Sequence, residues 1–378
     1  MKKEDVSGLV VYIIIFTFAI VFGLLVLRQH ASESSLSTAL YIVYVIGAIL
    51  SGILLNSIIF ELGHVIGAKI GGYKIVSVNI LGLTLLLGNK KRIKFSNYDG
   101  LTGETKIIPQ EGKKNNPGPY LIFGSIIYAI VAAVCLVLFI YFNRTESVAL
   151  KNVAYFLLVI VVIGAMILIY DIAPFRLDSM NDGYRLRLIS NPKNKEAFNE
   201  LLRVQYAVEQ GQQDIEVKTF DEITNFTAEL NLNKVYMNLD NHNFSEAEKL
   251  LDDILKSEDV SYRVYIRAKS QKIFIHLMTA ELEQAKEFYD KEVPMNERRE
   301  ISEDVSMASI RAYILMSGLL DDSQSETERA LNKVLKAYKK TSKNRQPIEL
   351  KLYNEALEKV IQKHPKWELE GFLLAEDK

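Results

Sequence analysis

Residues 39–68 are the stretch that decides the fold, and they read ALYIVYVIGAILSGILLNSIIFELGHVIGA. Most of this stretch is apolar, and it is longer than the roughly 20 residues that a helix needs to cross a bilayer. Glu61 and His64 stand near its end. An ionisable group there is costly unless it faces protein, water or a metal, so the pair suggests a functional site. The alternative is an interfacial polar pair where a helix leaves the membrane.

Four apolar segments have the length of a membrane span, and they lie at about 9–28, 39–64, 119–142 and 153–174. The predicted fold is mainly α. It comprises a polytopic membrane helical bundle at 1–190, with a small β-hairpin or sheet inserted, and a soluble α-helical repeat-like domain at 191–378.

Basic residues predict the orientation of these spans. Lys2 and Lys3 precede the first span, and lysine and arginine are frequent in the loop at 70–118, whereas the short loop at 143–152 carries only Arg144 and Lys151. Basic loops favour the cytoplasmic side. We therefore expect a multi-pass protein of the cell membrane with the long loop and both termini in the cytoplasm.

Composition limits the classes of partner. The 378-residue chain has a formal net charge of −1, which gives no indication of a nucleic-acid partner. Its single cysteine, Cys135, lies inside an apolar run, so neither a disulfide framework nor a thiolate metal site is predicted. The lipid bilayer is the first partner that the sequence implies.

The helix end at Phe60–His64 is close to a zinc-protease motif. In His-Glu-x-x-His, two histidines four residues apart share one face of a helix and one metal, and the glutamate acts as general base. Glu61 and His64 occupy the second and last of these positions, but Phe60 stands where the first histidine belongs. Phenylalanine has no lone pair to offer a metal.

More of the chain resembles the site-2 proteases, a family of intramembrane zinc metallopeptidases, in their bacterial branch. Phe60–Ala68 matches the pattern His-Glu-x-Gly-His-x-x-x-Ala at each defined position except the first. A later Asp-Gly element, which supplies the third ligand in the family, is matched by Asp182-Gly183 after Asp171-Ile-Ala-Pro174. The resemblance covers roughly residues 40–190, although Asp171 stands where the family usually has asparagine.

This resemblance implies Glu61 as catalytic base, His64 and Asp182 as zinc ligands, and a membrane-embedded or exported peptide as substrate. Because Phe60 removes one of three ligands, we expect zinc proteolysis to be lost or impaired, as in a pseudoprotease. Asp178 is the nearest candidate substitute ligand, and the alternative for it is a solvated loop carboxylate. Two other functions stay open: an active intramembrane zinc metalloprotease, and a non-catalytic membrane-anchored scaffold that binds a peptide or protein.

The loop at 70–118 carries alternating β-favouring residues, and Gly88-Asn89 is a plausible hairpin turn. A short sheet over the cytoplasmic opening would suit peptide presentation, because an exposed strand edge pairs with an extended peptide. The alternative is an amphipathic hairpin that only covers the protein at the interface.

After Asn191-Pro192 the chain becomes polar and rich in helix formers. Ala247, Ala285 and Ala330 recur in similar segments 38 and 45 residues apart, which resembles degenerate tetratricopeptide repeats, whose usual period is about 34. Such repeats bind a peptide or helix in a concave groove, so we expect a cytoplasmic protein partner. The alternative is a plain helical bundle. Trp367 is predicted to be a packing anchor.

Overall fold

The computed structural model describes residues 3–34, 36–87, 92–96, 102–174, 180–210, 212, 215–341 and 345–375. The chain is mainly helical and divides into two compact units, Met1–Lys195 and Glu196–Lys378. Each unit is considered by itself below.

The helices of the first unit include four that are long and apolar enough to cross a membrane, which confirms the predicted apolar spans. The first runs through α1 (Lys3–Phe22), a π-helical stretch (Gly23–Leu27) and α2 (Arg28–Glu33). The others are α3 (Thr38–Ile70), α4 (Pro117–Asn143) and α5 (Val148–Ile172), and a short α6 (Asp182–Leu188) follows. Helix α3 thus continues beyond the predicted end of its span at residue 64.

Small residues and one amide hold α3 against α4 and α5. A Cβ atom at Gly67 would lie 2.2 Å from the Pro119 carbonyl oxygen, and one at Gly52 would lie 2.7 Å from Cδ1 of Ile163. The buried Asn56 amide donates to the Ile160 carbonyl at 2.9 Å, across the α3–α5 contact. Close backbone approach and interhelical hydrogen bonds are the usual means of helix association in lipid.

A four-stranded antiparallel sheet lies between α3 and α4 in the chain. Its strands are β1 (Tyr73–Ile80), β2 (Leu83–Leu86), β3 (Arg92–Phe95) and β4 (Gly103–Pro109), in the order β3-β2-β1-β4. The sheet agrees with the predicted β insertion.

The turn between β1 and β2 was not predicted. Ile80 pairs with Leu83, so the turn consists of Leu81 and Gly82, with φ of 49° and 93°. Two positive φ angles in a two-residue loop fit the hairpin turns that match strand twist. Leucine rarely adopts this conformation, which is why the sequence did not indicate it. The predicted turn at Gly88-Asn89 lies outside the described residues.

The second unit consists of successive helices, and one hydrophobic core joins buried residues between Ala228 and Leu369. They are α7 (Pro192–Glu209), α8 (Asn225–Asp240), α9 (Phe244–Lys256), α10 (Tyr262–Thr279), α11 (Leu282–Glu292), α12 (Met295–Glu303), α13 (Met307–Leu315, with a π-helical extension Met316–Leu320), α14 (Gln324–Lys340) and α15 (Gln346–Lys363). Ala247, Ala285 and Ala330 lie buried on α9, α11 and α14. Trp367 packs against the core and stacks on His364.

Candidate functional site

A cavity of about 70 Å³ lies beside the last turns of α3 in the first unit. That volume holds a few water molecules or a small ion. Its walls come from α3, β4, α4, α5 and α6, and they include the three predicted site residues Glu61, His64 and Asp182, together with Phe60, Thr105, Tyr120, Asp171 and Arg185.

Glu61 is held by the sheet. It is buried, and its two carboxylate oxygens accept hydrogen bonds from the Thr105 hydroxyl at 2.7 Å and the Thr102 hydroxyl at 3.4 Å. The alternation of β4 points Gly103 and Thr105 toward one face of the sheet. A Cβ atom at Gly103 would lie 3.1 Å from the Glu61 carboxylate, so glycine leaves room for that side chain.

His64 is fixed by a backbone carbonyl. Its Nδ1 lies 2.9 Å from the Tyr120 carbonyl oxygen, which can only accept, so we assign the proton to Nδ1. This assignment leaves the Nε2 lone pair facing Asp182, whose Oδ2 lies 3.5 Å away. The arrangement is typical of a metal-binding histidine oriented by a carbonyl.

Glycines let α3 and α4 approach at this level. A Cβ atom at Gly63 would lie 2.5 Å from the Phe123 carbonyl oxygen and 2.6 Å from the Gly124 Cα atom. One at Gly124 would lie 2.9 Å from Nε2 of His64. Gly63 therefore permits the helix contact, and Gly124 leaves space for the imidazole.

The Asn181-Asp182-Gly183 element places Asp182 through its neighbours. The Asn181 amide donates to the Tyr170 and Ala173 carbonyls at the end of α5, and its oxygen caps α6 by accepting from the Tyr184 amide at 2.9 Å. A Cβ atom at Gly183 would lie 2.0 Å from the Ile172 carbonyl oxygen, so only glycine permits this contact.

Arg185 is a cationic neighbour that sequence reasoning missed. Its Nη1 lies 3.4 Å from Oδ1 of Asp182, three residues earlier on α6. Burial disfavours the charged guanidinium, but Asp182 and other acidic neighbours outweigh this effect and raise the pKa of Arg185. The i, i+3 spacing of Asp182 and Arg185 was the available signal.

Phe60 occupies the position that the first histidine would take, and its ring is part of the packing. It is 1% exposed, stacks on Tyr128 at 5.3 Å between ring centroids, and packs with Ile167.

Asp171 takes part in a separate contact, since its Oδ2 accepts from the Ser125 hydroxyl at 3.1 Å. Ser125 was not predicted to contribute either.

The donors do not fit a catalytic zinc, which takes three protein ligands and a water. Two zinc ligands of one tetrahedral ion lie about 3.3 Å apart, so His64 and Asp182 have suitable spacing. Phe60 supplies no third donor. Among the residues that the structure describes, no three His, Cys, Asp or Glu side chains are arranged to hold a metal ion. Asp178, the candidate substitute, lies outside those residues.

Comparison with known proteins adds no assignment: no family model, no curated protein and no solved structure matches the chain.

Proposed function

We propose that this chain is a site-2-protease-like protein of the membrane that holds a membrane-embedded or exported peptide, with zinc proteolysis lost or impaired. The observation that carries the proposal is the position of Phe60. It lies on the same helical turns as Glu61 and His64 and beside the same cavity, yet its ring is buried against Tyr128. The site keeps the general base and two donors of the family arrangement and lacks the third.

The sheet supports the part of the proposal that concerns a peptide. Strand β4 is an edge strand, and Gly103, Glu104 and Thr105 line the cavity. An extended peptide that pairs with a strand edge gains main-chain hydrogen bonds. A peptide paired with β4 would pass directly beside Glu61.

Orientation and partner belong to the same proposal. The basic loop at 70–118 favours a cytoplasmic site and cytoplasmic termini in the cell membrane. The helix pairs of the second unit, with Ala247, Ala285 and Ala330 buried in their second helices, are consistent with a tetratricopeptide-like domain that recruits a cytoplasmic protein.

An active intramembrane zinc metalloprotease is the second candidate. It is favoured by the 3.5 Å separation of His64 Nε2 from Asp182 Oδ2, which suits two ligands of one ion. In that case Glu61 would move the proton of an attacking water.

Metal content distinguishes the two candidates. Detergent-purified protein dialysed against zinc is analysed by mass spectrometry for the wild type, Phe60→His and Phe60→Leu. We expect the wild type to hold well under one zinc per chain, Phe60→His to approach one, and Phe60→Leu, which only loosens the packing, to resemble the wild type. One zinc per wild-type chain, together with cleavage of a fluorogenic transmembrane peptide that Glu61→Gln abolishes, would establish the active enzyme instead.

Photo-crosslinking tests peptide binding separately. A photoreactive amino acid replaces Glu104 beside the cavity or, as control, Lys94 on the opposite edge strand β3, and a labelled transmembrane peptide is added. We expect crosslinking from position 104 and little from position 94. Equal labelling at both positions would contradict a peptide site at β4.

A further inference from the structure

A second polar centre lies inside the helical unit, far in sequence from the residues discussed above. Six side chains from four helices form it, and we call them the arginine cluster: Tyr236, Arg267, Gln271, Arg311, Arg345 and Glu349. Tyr236 lies on α8, Arg267 and Gln271 on α10, Arg311 on α13, Glu349 in the first turn of α15, and Arg345 immediately before α15.

Arg311 is the centre of the cluster. Its side chain is fully buried, and its two terminal nitrogens donate to the Glu349 carboxylate and, at 2.7 Å, to Oε1 of Gln271. Its guanidinium lies over the Phe274 ring, 4.5 Å from the centroid. A buried charge needs such partners, because desolvation otherwise outweighs the attraction.

Three buried donors in the cluster nevertheless have no partner within the part of the chain that the structure describes. They are Nε of Arg311, Nε2 of Gln271 and Nε of Arg267. Gln271 and Arg311 are both completely buried, so bulk water does not satisfy these groups. Buried donors are nearly always hydrogen-bonded in native proteins, so orphans at one place indicate a missing acceptor.

The donors belong to side chains that lie close together. Gln271 accepts from Arg311, which brings its free amide hydrogens next to that guanidinium. Arg267 precedes Gln271 by four residues, so the two share one face of α10. Arg345 lies over the Tyr236 ring at 5.1 Å, and Arg267, Arg311, Arg345 and Glu349 all act electrostatically on the Tyr236 hydroxyl.

The charge of the arginine cluster is positive. Three guanidinium groups face the Glu349 carboxylate, and the Asp304 carboxylate also acts on Arg267, which leaves a local charge of +1. Burial and the Glu349 carboxylate raise the pKa of Tyr236, so its hydroxyl keeps its proton. Tyr236, Arg267 and Arg345 are only half-buried, so the edge of the cluster is in contact with solvent.

We propose that the arginine cluster binds an oxyanion, a carboxylate or phosphate group of a small ligand, which accepts from the unpaired donors of Arg311, Gln271 and Arg267. Planar guanidinium and amide donors suit the paired oxygens of such groups. The positive charge attracts the anion, and Glu349 holds Arg311 in place without neutralising the whole cluster. This site is independent of the cavity beside α3.

The test uses the full chain in detergent and its single tryptophan, Trp367, which lies in the same unit. Thermal unfolding is followed by Trp367 fluorescence while inorganic phosphate or succinate is titrated against chloride at equal ionic strength. A ligand that binds only the folded state raises the midpoint in a saturable way. A response to phosphate identifies a phosphate-bearing ligand, and a response to succinate identifies a carboxylate.

Variants assign the response to the cluster. Arg267→Gln removes a half-buried donor without emptying the core and should weaken the apparent affinity about tenfold, since one charge-assisted hydrogen bond is worth at least that factor. Arg345→Gln removes positive charge but no hydrogen bond to the ligand, so it should weaken the affinity less. Arg263→Gln, on an exposed position one turn earlier on α10, is the matched control and should behave as the wild type. If neither anion changes the midpoint beyond chloride, or Arg267→Gln responds as the wild type does, ordered water satisfies the donors and the proposal is wrong.

Discussion

The site beside α3 and the arginine cluster differ in how far their buried polar groups are hydrogen-bonded. Beside α3, the Glu61 carboxylate accepts hydrogen bonds from two threonine hydroxyls. His64 contacts the Tyr120 carbonyl and Asp182, and Asp182 also contacts Arg185. In the arginine cluster, buried donors of Arg311 and Gln271 lack partners among the described residues.

This difference bears on what each centre can bind. The two carboxylates beside α3 have donors within the protein, since Glu61 accepts from Thr102 and Thr105 and Asp182 accepts from Arg185. The arginine cluster carries an unmet requirement for an acceptor, and burial makes that requirement costly. Resemblance to a catalytic motif and readiness to bind a ligand are therefore found in different units of the chain.

The largest effect should come from breaking the buried pair in the arginine cluster. Glu349→Leu leaves the Arg311 charge buried without its anion, and we expect a loss of about 3–5 kcal/mol in the free energy of unfolding. Urea unfolding followed by Trp367 fluorescence measures it. The double variant Arg311→Met with Glu349→Leu removes both charges and should recover most of the loss. Equal losses in both variants would indicate that packing, and not charge, dominates.

Thr105→Val would leave the site beside α3 with an unsatisfied buried polar group, as in the arginine cluster. The substitution removes the 2.7 Å hydrogen bond to Glu61 and leaves a buried carboxylate short of a donor. We expect a loss of about 1.5–3 kcal/mol, seen as a lower melting temperature of the detergent-solubilised chain by circular dichroism. Thr105→Ser keeps the hydroxyl and is the control. A melting temperature unchanged in Thr105→Val would show that water reaches Glu61.

Gly63→Ala tests whether the close contact between α3 and α4 stabilises the protein beside the cavity. The added methyl would meet the backbone of Phe123 and Gly124, and overpacking of this kind costs about 1–3 kcal/mol. Gly47→Ala on the same helix meets nothing within 4 Å and should leave the melting temperature unchanged. Similar melting temperatures for the two variants would contradict the close approach of α3 to α4.

Thr224→Ala should give the smallest loss of stability and serves as a reference variant outside both polar centres. Thr224 caps α8 by accepting from the Thr227 amide, and loss of such a cap costs about 1 kcal/mol. The Trp367 unfolding curve should shift by that amount, and the anion response of the arginine cluster should persist.

The sequence predicted the apolar helices well because membrane-length hydrophobic runs are a strong local signal. It also singled out Glu61, His64 and Asp182, and the structure places all three around one cavity. Thr105 and Arg185 were missed because their roles depend on which face of β4 and α6 meets that cavity. The arginine cluster was not predictable either, since its six residues are separated by up to 113 positions and share no motif.

The length of α3 has a consequence for where chemistry can take place. At 33 residues it is about 50 Å long, whereas the hydrocarbon layer is about 30 Å thick. An upright helix that enters this layer at Thr38 leaves it after about 20 residues, near Ile58, one turn before Glu61. Tilting the helix draws Glu61 inward. For a helix placed in this way, longer acyl chains would bring the hydrocarbon layer closer to Glu61 and His64 without any change in the protein.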